Sequence, residues 1–281
     1  MILIFDTTMG LCNQILDIQC AINFCNVNNY YFTFRNCSFR NKNDVKLFYN
    51  QPFNRLFDDK LFKSYYNYIN YEKIKEKINC KNTFNFEGKR CIEVFSNEDD
   101  IINFLKIEKK EFIILPQFFS VCDFSRQPKK YYIKIKPNPN LLSIFFNLKK
   151  NLLPERYNYI HFRYENDFTT YFNLNYTISI DSLLNRLKFK NNNLKIYIAC
   201  SNIKSISRTP LLTNDVYSYK NIIFKDDQFE KYKMDYLNFE ERAFVDFLIG
   251  VYSQEIYGHS KSSFSSLLNL FKNTNNYYDI L

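Results

Sequence analysis

Three short stretches of the chain carry residue types that could do chemistry together. In the run Tyr157 to Arg163, His161 and Arg163 lie two residues apart, so an extended segment puts both on one face, and Glu165 and Asp167 follow directly. A buried arginine needs an anion. That anion is either internal, Glu165 or Asp167, or a bound phosphate, which the planar guanidinium fork receives bidentately. Nearer the N-terminus runs Thr7-Thr8-Met9-Gly10-Leu11-Cys12-Asn13-Gln14. There Gly10 would let the backbone turn tightly and approach a ligand, and the amides at the following helix start attract anions. Asn13 or Gln14 could hydrogen-bond a sugar or phosphate, although a plain helix entry explains the same residues. The third stretch joins Asp246 to Ile256-Tyr257-Gly258-His259-Ser260-Lys261-Ser262-Ser263-Phe264. Serine hydroxyls cap a helix and leave its N–H groups to an anion. Capping explains one serine, but not Ser260, Ser262, Ser263, Ser265 and Ser266 together.

The elements around these stretches alternate. Apolar Ile2 to Phe5 reads as a buried strand, Asp6 to Gly10 as a turn, and Leu11 to Phe24 as a helix with Leu11, Ile15, Ile18 and Ile22 on one face. Tyr30 to Phe34 returns as a strand, completing a β-α-β unit. From Phe39 to Tyr71 aromatic residues crowd between charges without a sustained period, which reads as loops and short helices. Tyr71 to Ile78 and Asp99 to Leu105 read as helices, and Phe112 to Leu115 as a strand stopped by Pro116. Arg126 to Pro139, with Pro128, Pro137 and Pro139, suits a linker. A second series follows: helix 141–149, strand 157–163, helix 180–189, strands 195–200 and 222–224, helix 239–251, strand 255–257 and helix 263–271. Such alternation predicts parallel sheets covered by helices, with ligands outside the carboxyl ends of the strands and a cleft between two domains.

Taken together, the order and spacing of these motifs resemble the GDP-fucose protein O-fucosyltransferases and their plant-type and α1,2/α1,6-fucosyltransferase relatives. Gly10 to Gln14 matches a G-x-x-N-Q turn, and His161, Arg163, Glu165 and Asp167 match the HLRxExD strand of plant-type members. Asp246 with IYGHSKSSF matches a D followed by FIG and SSF at the family spacing, and IYIACSN (196–202) resembles a family strand ending in a small polar pair. The resemblance covers the chain well from Asn158 onward and is absent between Cys37 and Leu115.

This resemblance implies an α/β, GT-B-like fold of two Rossmann-like domains: residues 1–125 on the acceptor side and 137–281 binding the nucleotide sugar. It implies inverting, metal-independent transfer of fucose from GDP-fucose to a protein or glycan hydroxyl. Arg163 would hold the β-phosphate and stabilise departing GDP; Ser262, Ser263 and the Phe264 amide would hold the pyrophosphate. His161 would position the nucleotide, Asp246 would read the guanine N–H edge, and Gly10 and Asn13 would contact substrate. The general base stays open among Asp6, Glu165 and Asp167. Plant-type members with the same strand include enzymes using UDP-rhamnose, so another deoxysugar is an alternative, as is a nucleotide-sugar or glycan-binding module without catalysis.

Composition narrows the remaining classes. The chain has 281 residues, 46% hydrophobic and 19% aromatic, with 4 Gly and 7 Pro, which excludes collagen-like and disordered chains. The formal charge of +9 is spread thinly and accompanies a glut of Asn, Ile, Phe and Tyr, residues sharing AT-rich codons, so a nucleic-acid partner ranks last. The 8 cysteines include no CxxC pair and have 2 histidines beside them, so no zinc template can be written. Aspartates adjoin at 58–59, 99–100 and 226–227 but form no D-x-D triplet, and no cofactor or metal is expected. No signal peptide or membrane span is read, and a cytoplasmic protein is the expectation.

Overall fold

The computed structural model describes residues 1–41, 47–65, 67–122, 135–162, 194–200, 222–225, 234–259, 262–272 and 277–279. The chain divides into two compact units. One comprises Met1–Leu142 with Asn238–Glu241, the other Ser143–Leu237 with Arg242–Leu281.

The first unit is built on strand β1 (Ile2–Asp6), whose apolar run places it in the middle of a five-stranded sheet. Helix α1 (Leu11–Asn28) follows, then β2 (Tyr31–Arg40), β3 (Phe48–Pro52), β4 (Thr83–Phe84), α2 (Glu98–Ile107) and β5 (Phe112–Pro116). The sheet order is β3-β2-β1-β5-β4, parallel except for β3, which pairs antiparallel with β2. Aromatic rings fill the core beneath it: Phe118 lies edge-on to Phe5 at 5.2 Å and to Phe24 at 5.0 Å, and Phe34 stacks on Phe53 at 4.7 Å.

Between β1 and β2 the register slips, with Phe5 opposite Phe34 but Asp6 opposite Asn36. Arg35 is the extra residue of this bulge. Bulges re-aim a side chain, and here the guanidinium reaches back to the end of β1.

Two expectations for this unit are corrected. The predicted helix over Tyr71 to Ile78 is a pair of 3-10 turns, Tyr71–Lys73 and Lys75–Lys77. Only Ile74 is fully buried there, with Tyr71 and Ile78 partly buried against the same core cluster, and two short turns suffice to seat these three residues. The stretch after Phe39 contains β3, an exposed edge strand whose Phe-Tyr-Asn-Gln-Pro sequence lacks the alternation that betrays a half-buried strand.

The second unit holds a fully parallel sheet. Its elements are α3 (Pro139–Leu152), which begins in the first unit, β6 (Tyr157–Phe162), β7 (Lys195–Cys200), β8 (Ile222–Phe224), α4 (Phe239–Val251), β9 (Ile256–Gly258), α5 (Ser263–Lys272) and β10 (Tyr277–Asp279). The order is β10-β9-β6-β7-β8. Proline at the first position of α3 suits a helix start, where its missing N–H is not needed. Gly250 in α4 is required by close packing, because a Cβ there would meet Leu268 at 2.8 Å and the Tyr159 ring at 3.2 Å.

Residues Asn238–Glu241, the start of α4, group with the first unit. The Asn238 side chain accepts from the Glu241 N–H at 3.0 Å and the Glu241 carboxylate from the Asn238 N–H at 2.9 Å, a reciprocal capping box. Arg40 donates its backbone N–H to Glu240 at 2.8 Å and pairs its Nε with the other oxygen at 3.3 Å. Arg55 pairs with Glu241 at 3.4 Å. Most of the predicted linker, the predicted helix 180–189 and residues Arg163, Glu165 and Asp167 lie outside the described residues. No described helix is long and apolar enough to cross a membrane.

Candidate functional site

In the first unit the β1-to-α1 turn is held from below by a buried amide. Gln14 has no exposure. Its Oε1 accepts from the Thr7 hydroxyl at 3.1 Å and the Ser38 N–H at 3.0 Å; its Nε2 donates to Met9 O at 2.8 Å and Ser38 O at 2.7 Å. A carboxamide offers two donors and two lone pairs, so all of its capacity is spent. The expectation that Gln14 could bind a ligand is therefore corrected: it bolts the turn to β2.

Gly10 also differs from expectation. The left-handed residue of the turn is Met9, with φ 70°, while Gly10 is extended at φ −69°. The Arg40 guanidinium lies against Gly10, 2.7 Å from where a Cβ would stand, so a larger residue there would push this arginine aside. Arg40 is itself set over the Phe239 ring at 4.5 Å. Asn13, half-buried on the first turn of α1, contacts the Met9 sulfur at 3.5 Å.

Two carboxylates lie under this turn. Asp6 receives the Arg35 Nε at 2.9 Å and the Arg35 Nη2 on its other oxygen, and this bond raises the arginine above its usual range. Asp6 is the one base candidate among the described residues, and both its oxygens are already engaged. Asp17 accepts from the Phe119 N–H at 2.7 Å and the Thr8 N–H at 3.4 Å, tying the turn to the chain after β5. Burial pushes its carboxyl well above the usual range, against those two backbone donors, which pull it down, and with a smaller upward push from Asp6.

In the second unit three predicted residues meet at the carboxyl ends of the strands. His161 Nδ1 lies 2.7 Å from the Ser265 hydroxyl, and its ring stacks on Phe264 at 4.5 Å. Ser262 precedes α5 and is fully buried, yet its hydroxyl has no hydrogen-bond partner among the described residues. Ser263 is exposed on the first turn. A buried hydroxyl left unpaired costs about 1 to 3 kcal/mol, a cost that an anion oxygen at the helix start would remove.

Asp246 is 2% exposed. One oxygen accepts from the Tyr197 hydroxyl at 2.9 Å and the other pairs with Lys225 at 2.8 Å. Burial raises its carboxyl despite the opposing pull of Lys225 and Tyr197. Any guanine contact at this carboxylate would share it with both. Sequence reasoning did not single out Arg35, Arg40, Tyr197 or Lys225, because each acquires its meaning from a partner remote in the chain.

Two α/β units, each presenting strand carboxyl ends and a strand-turn-helix entry, define a GT-B fold. Solved fucosyltransferase structures share it. POFUT1 in complex with GDP matches with a TM-score of 0.62 at 11% identity, over 99% of this chain and 98% of that one. NodZ α-1,6-fucosyltransferase soaked with GDP-fucose matches at 0.58 and 10%, over 96% and 92%. Fucosyltransferase NodZ from Bradyrhizobium matches at 0.56 and 10%, over 96% and 92%. No protein-family model matches the chain, and no curated sequence matches it significantly.

Proposed function

We propose that the protein is an inverting glycosyltransferase that moves fucose from GDP-fucose to a protein or glycan hydroxyl without a metal ion. The observation that carries this reading is the unpaired, buried Ser262 hydroxyl at the start of α5, beside His161, Ser265 and Phe264. It lies on a fold shared with enzymes solved with GDP and GDP-fucose. A diphosphate oxygen would satisfy that hydroxyl, with the exposed Ser263 beside it and the Phe264 amide in reach of the same helix start.

In this reaction the acceptor oxygen attacks the anomeric carbon on the face opposite GDP. The bond from that carbon to the β-phosphate oxygen breaks, its electron pair leaves with GDP, and the acceptor proton passes to Asp6, Glu165 or Asp167. Arg163 would stabilise the charge that grows on GDP, lowering the barrier rather than merely binding the donor. Absence of a D-x-D triplet from the sequence supports charge neutralisation by Arg163 and the α5 N-terminus instead of a metal. Turnover should survive EDTA and fall at least ~100-fold in Arg163→Ala; loss on chelation with rescue by manganese would overturn the metal-free reading. We also place the protein in the cytoplasm, testable by fractionation.

A second reading, transfer of another deoxysugar from a UDP donor, is favoured by the full engagement of both Asp246 oxygens. Calorimetric titration separates the two: GDP binding more tightly than UDP keeps fucose, and the reverse order removes it.

A further inference from the structure

A recess of ≈ 100 Å³ opens in the first unit where β2 bulges at Arg35, at the same carboxyl edge as the β1-to-α1 turn. We propose that this recess binds one residue of a neutral carbohydrate, and that this carbohydrate is the acceptor. Only the word acceptor rests on the glycosyl-transfer reading; the binding itself stands on the lining.

The lining is rich in unspent hydrogen-bond capacity. Arg35 has five N–H donors, of which two go to Asp6. The carboxamides of Asn36 and Asn54 make no side-chain hydrogen bond among the described residues. Asp59 accepts from Asn70 at 2.9 Å through one oxygen, leaving the other. Donors and acceptors packed this closely suit hydroxyls on adjacent carbons, where a serine or threonine side chain brings one.

Charge selects further. Arg35 is matched by Asp6, so it offers directed N–H bonds without a net positive field, and Asp59 and Glu72 at the lining repel an anion. An acidic sugar is thereby disfavoured, and a neutral, hydroxyl-rich ligand fits the mix of donors and acceptors in the lining. Tyr68 and Tyr71 also line the recess and add apolar surface against which the C–H side of a sugar can pack. A recess of this volume holds several waters and so has room for one edge of a pyranose, with the rest of the carbohydrate outside.

The test uses the full chain and saturation-transfer NMR with the methyl glycosides of glucose, galactose, mannose and N-acetylglucosamine. Methyl glucuronide serves as the charged control, a short threonine-containing peptide as the protein-acceptor control, and GDP is titrated in parallel. At least one neutral glycoside should bind, weakened about tenfold or more by Asn36→Ala and by Tyr71→Ala, with GDP affinity unmoved. Silence from every neutral glycoside while GDP binds overturns the recess and spares the donor reading. Binding that both variants leave intact overturns it, as does stronger binding of the glucuronide or the peptide. Glycoside binding without GDP binding keeps the recess and removes the donor.

Discussion

The β1-to-α1 turn of the first unit and the β9-to-α5 turn of the second are built alike, strand into turn into helix, yet their polar groups are treated in opposite ways. Under the first turn Gln14 spends all four hydrogen-bond positions, Thr7 and Asp17 are bound, and Asp6 is clasped by Arg35. Before α5, Ser262 is just as buried, yet its hydroxyl has no partner among the described residues. The first turn is a closed scaffold; the second leaves one buried hydroxyl unspent, the position proposed above for a ligand oxygen. Similar local sequence grammar thus yields a fully bonded turn in one unit and an open hydrogen-bond position in the other.

That contrast can be broken from either side. Gln14→Leu should destabilise the protein by about 4 kcal/mol, since it leaves the Ser38 N–H and C=O buried without partners and frees the Met9 carbonyl; a loss of unfolding free energy below about 1 kcal/mol in urea titration would refute the bolt. In the second unit Lys225→Met should cost about 3 kcal/mol, because removing one partner strands the buried Asp246 carboxylate. Unchanged thermal stability in that variant would show the pair to be dispensable.

Asp17 sharpens the comparison through pH. Its folded-state carboxyl is raised above the ordinary 3.8, so the folded state holds this proton more tightly than the unfolded chain. The stability this contributes is full below about pH 3.8 and is lost as pH rises through the folded-state value. Asp17→Asn cannot titrate, so its urea midpoints across the acid-to-neutral range should decline less steeply than those of the parent. Parallel slopes would count against the assignment. The smallest stability change is expected for Ser262→Ala, a gain of about 1 kcal/mol in the unliganded protein, because the substitution removes a buried hydroxyl that has no partner among the described residues. GDP affinity should nevertheless fall in that variant, and equal affinity would close the proposed anion site.

Much of the architecture was legible from the chain. The apolar runs at 2–5, 195–200 and 222–224 are strands as read, and the helix over 239–251 has the predicted bounds. These segments are long or strongly apolar, so burial leaves them one solution. The 71–78 segment and β3 were not legible, since each is mostly exposed and is shaped by its neighbours rather than by its own pattern. His161 and the serines before α5 stood out in the sequence and lie at the carboxyl end of the second sheet, whereas Lys225 did not stand out, because its pairing with Asp246 joins the end of β8 to the middle of α4.

Residue order alone determined which segments are strands and helices around the site and which polar residues fall at the carboxyl ends of strands, because periodicity and turn chemistry act over a few neighbours. Tertiary structure decided how those polar groups are spent: Gln14 and Asp6 inward, the Ser262 hydroxyl unspent, Arg35 swung by a one-residue slip in register. Hydrogen-bond partners and desolvation are properties of what lies within a few ångströms in space, and for these residues that neighbourhood is assembled from strands and turns distant along the chain.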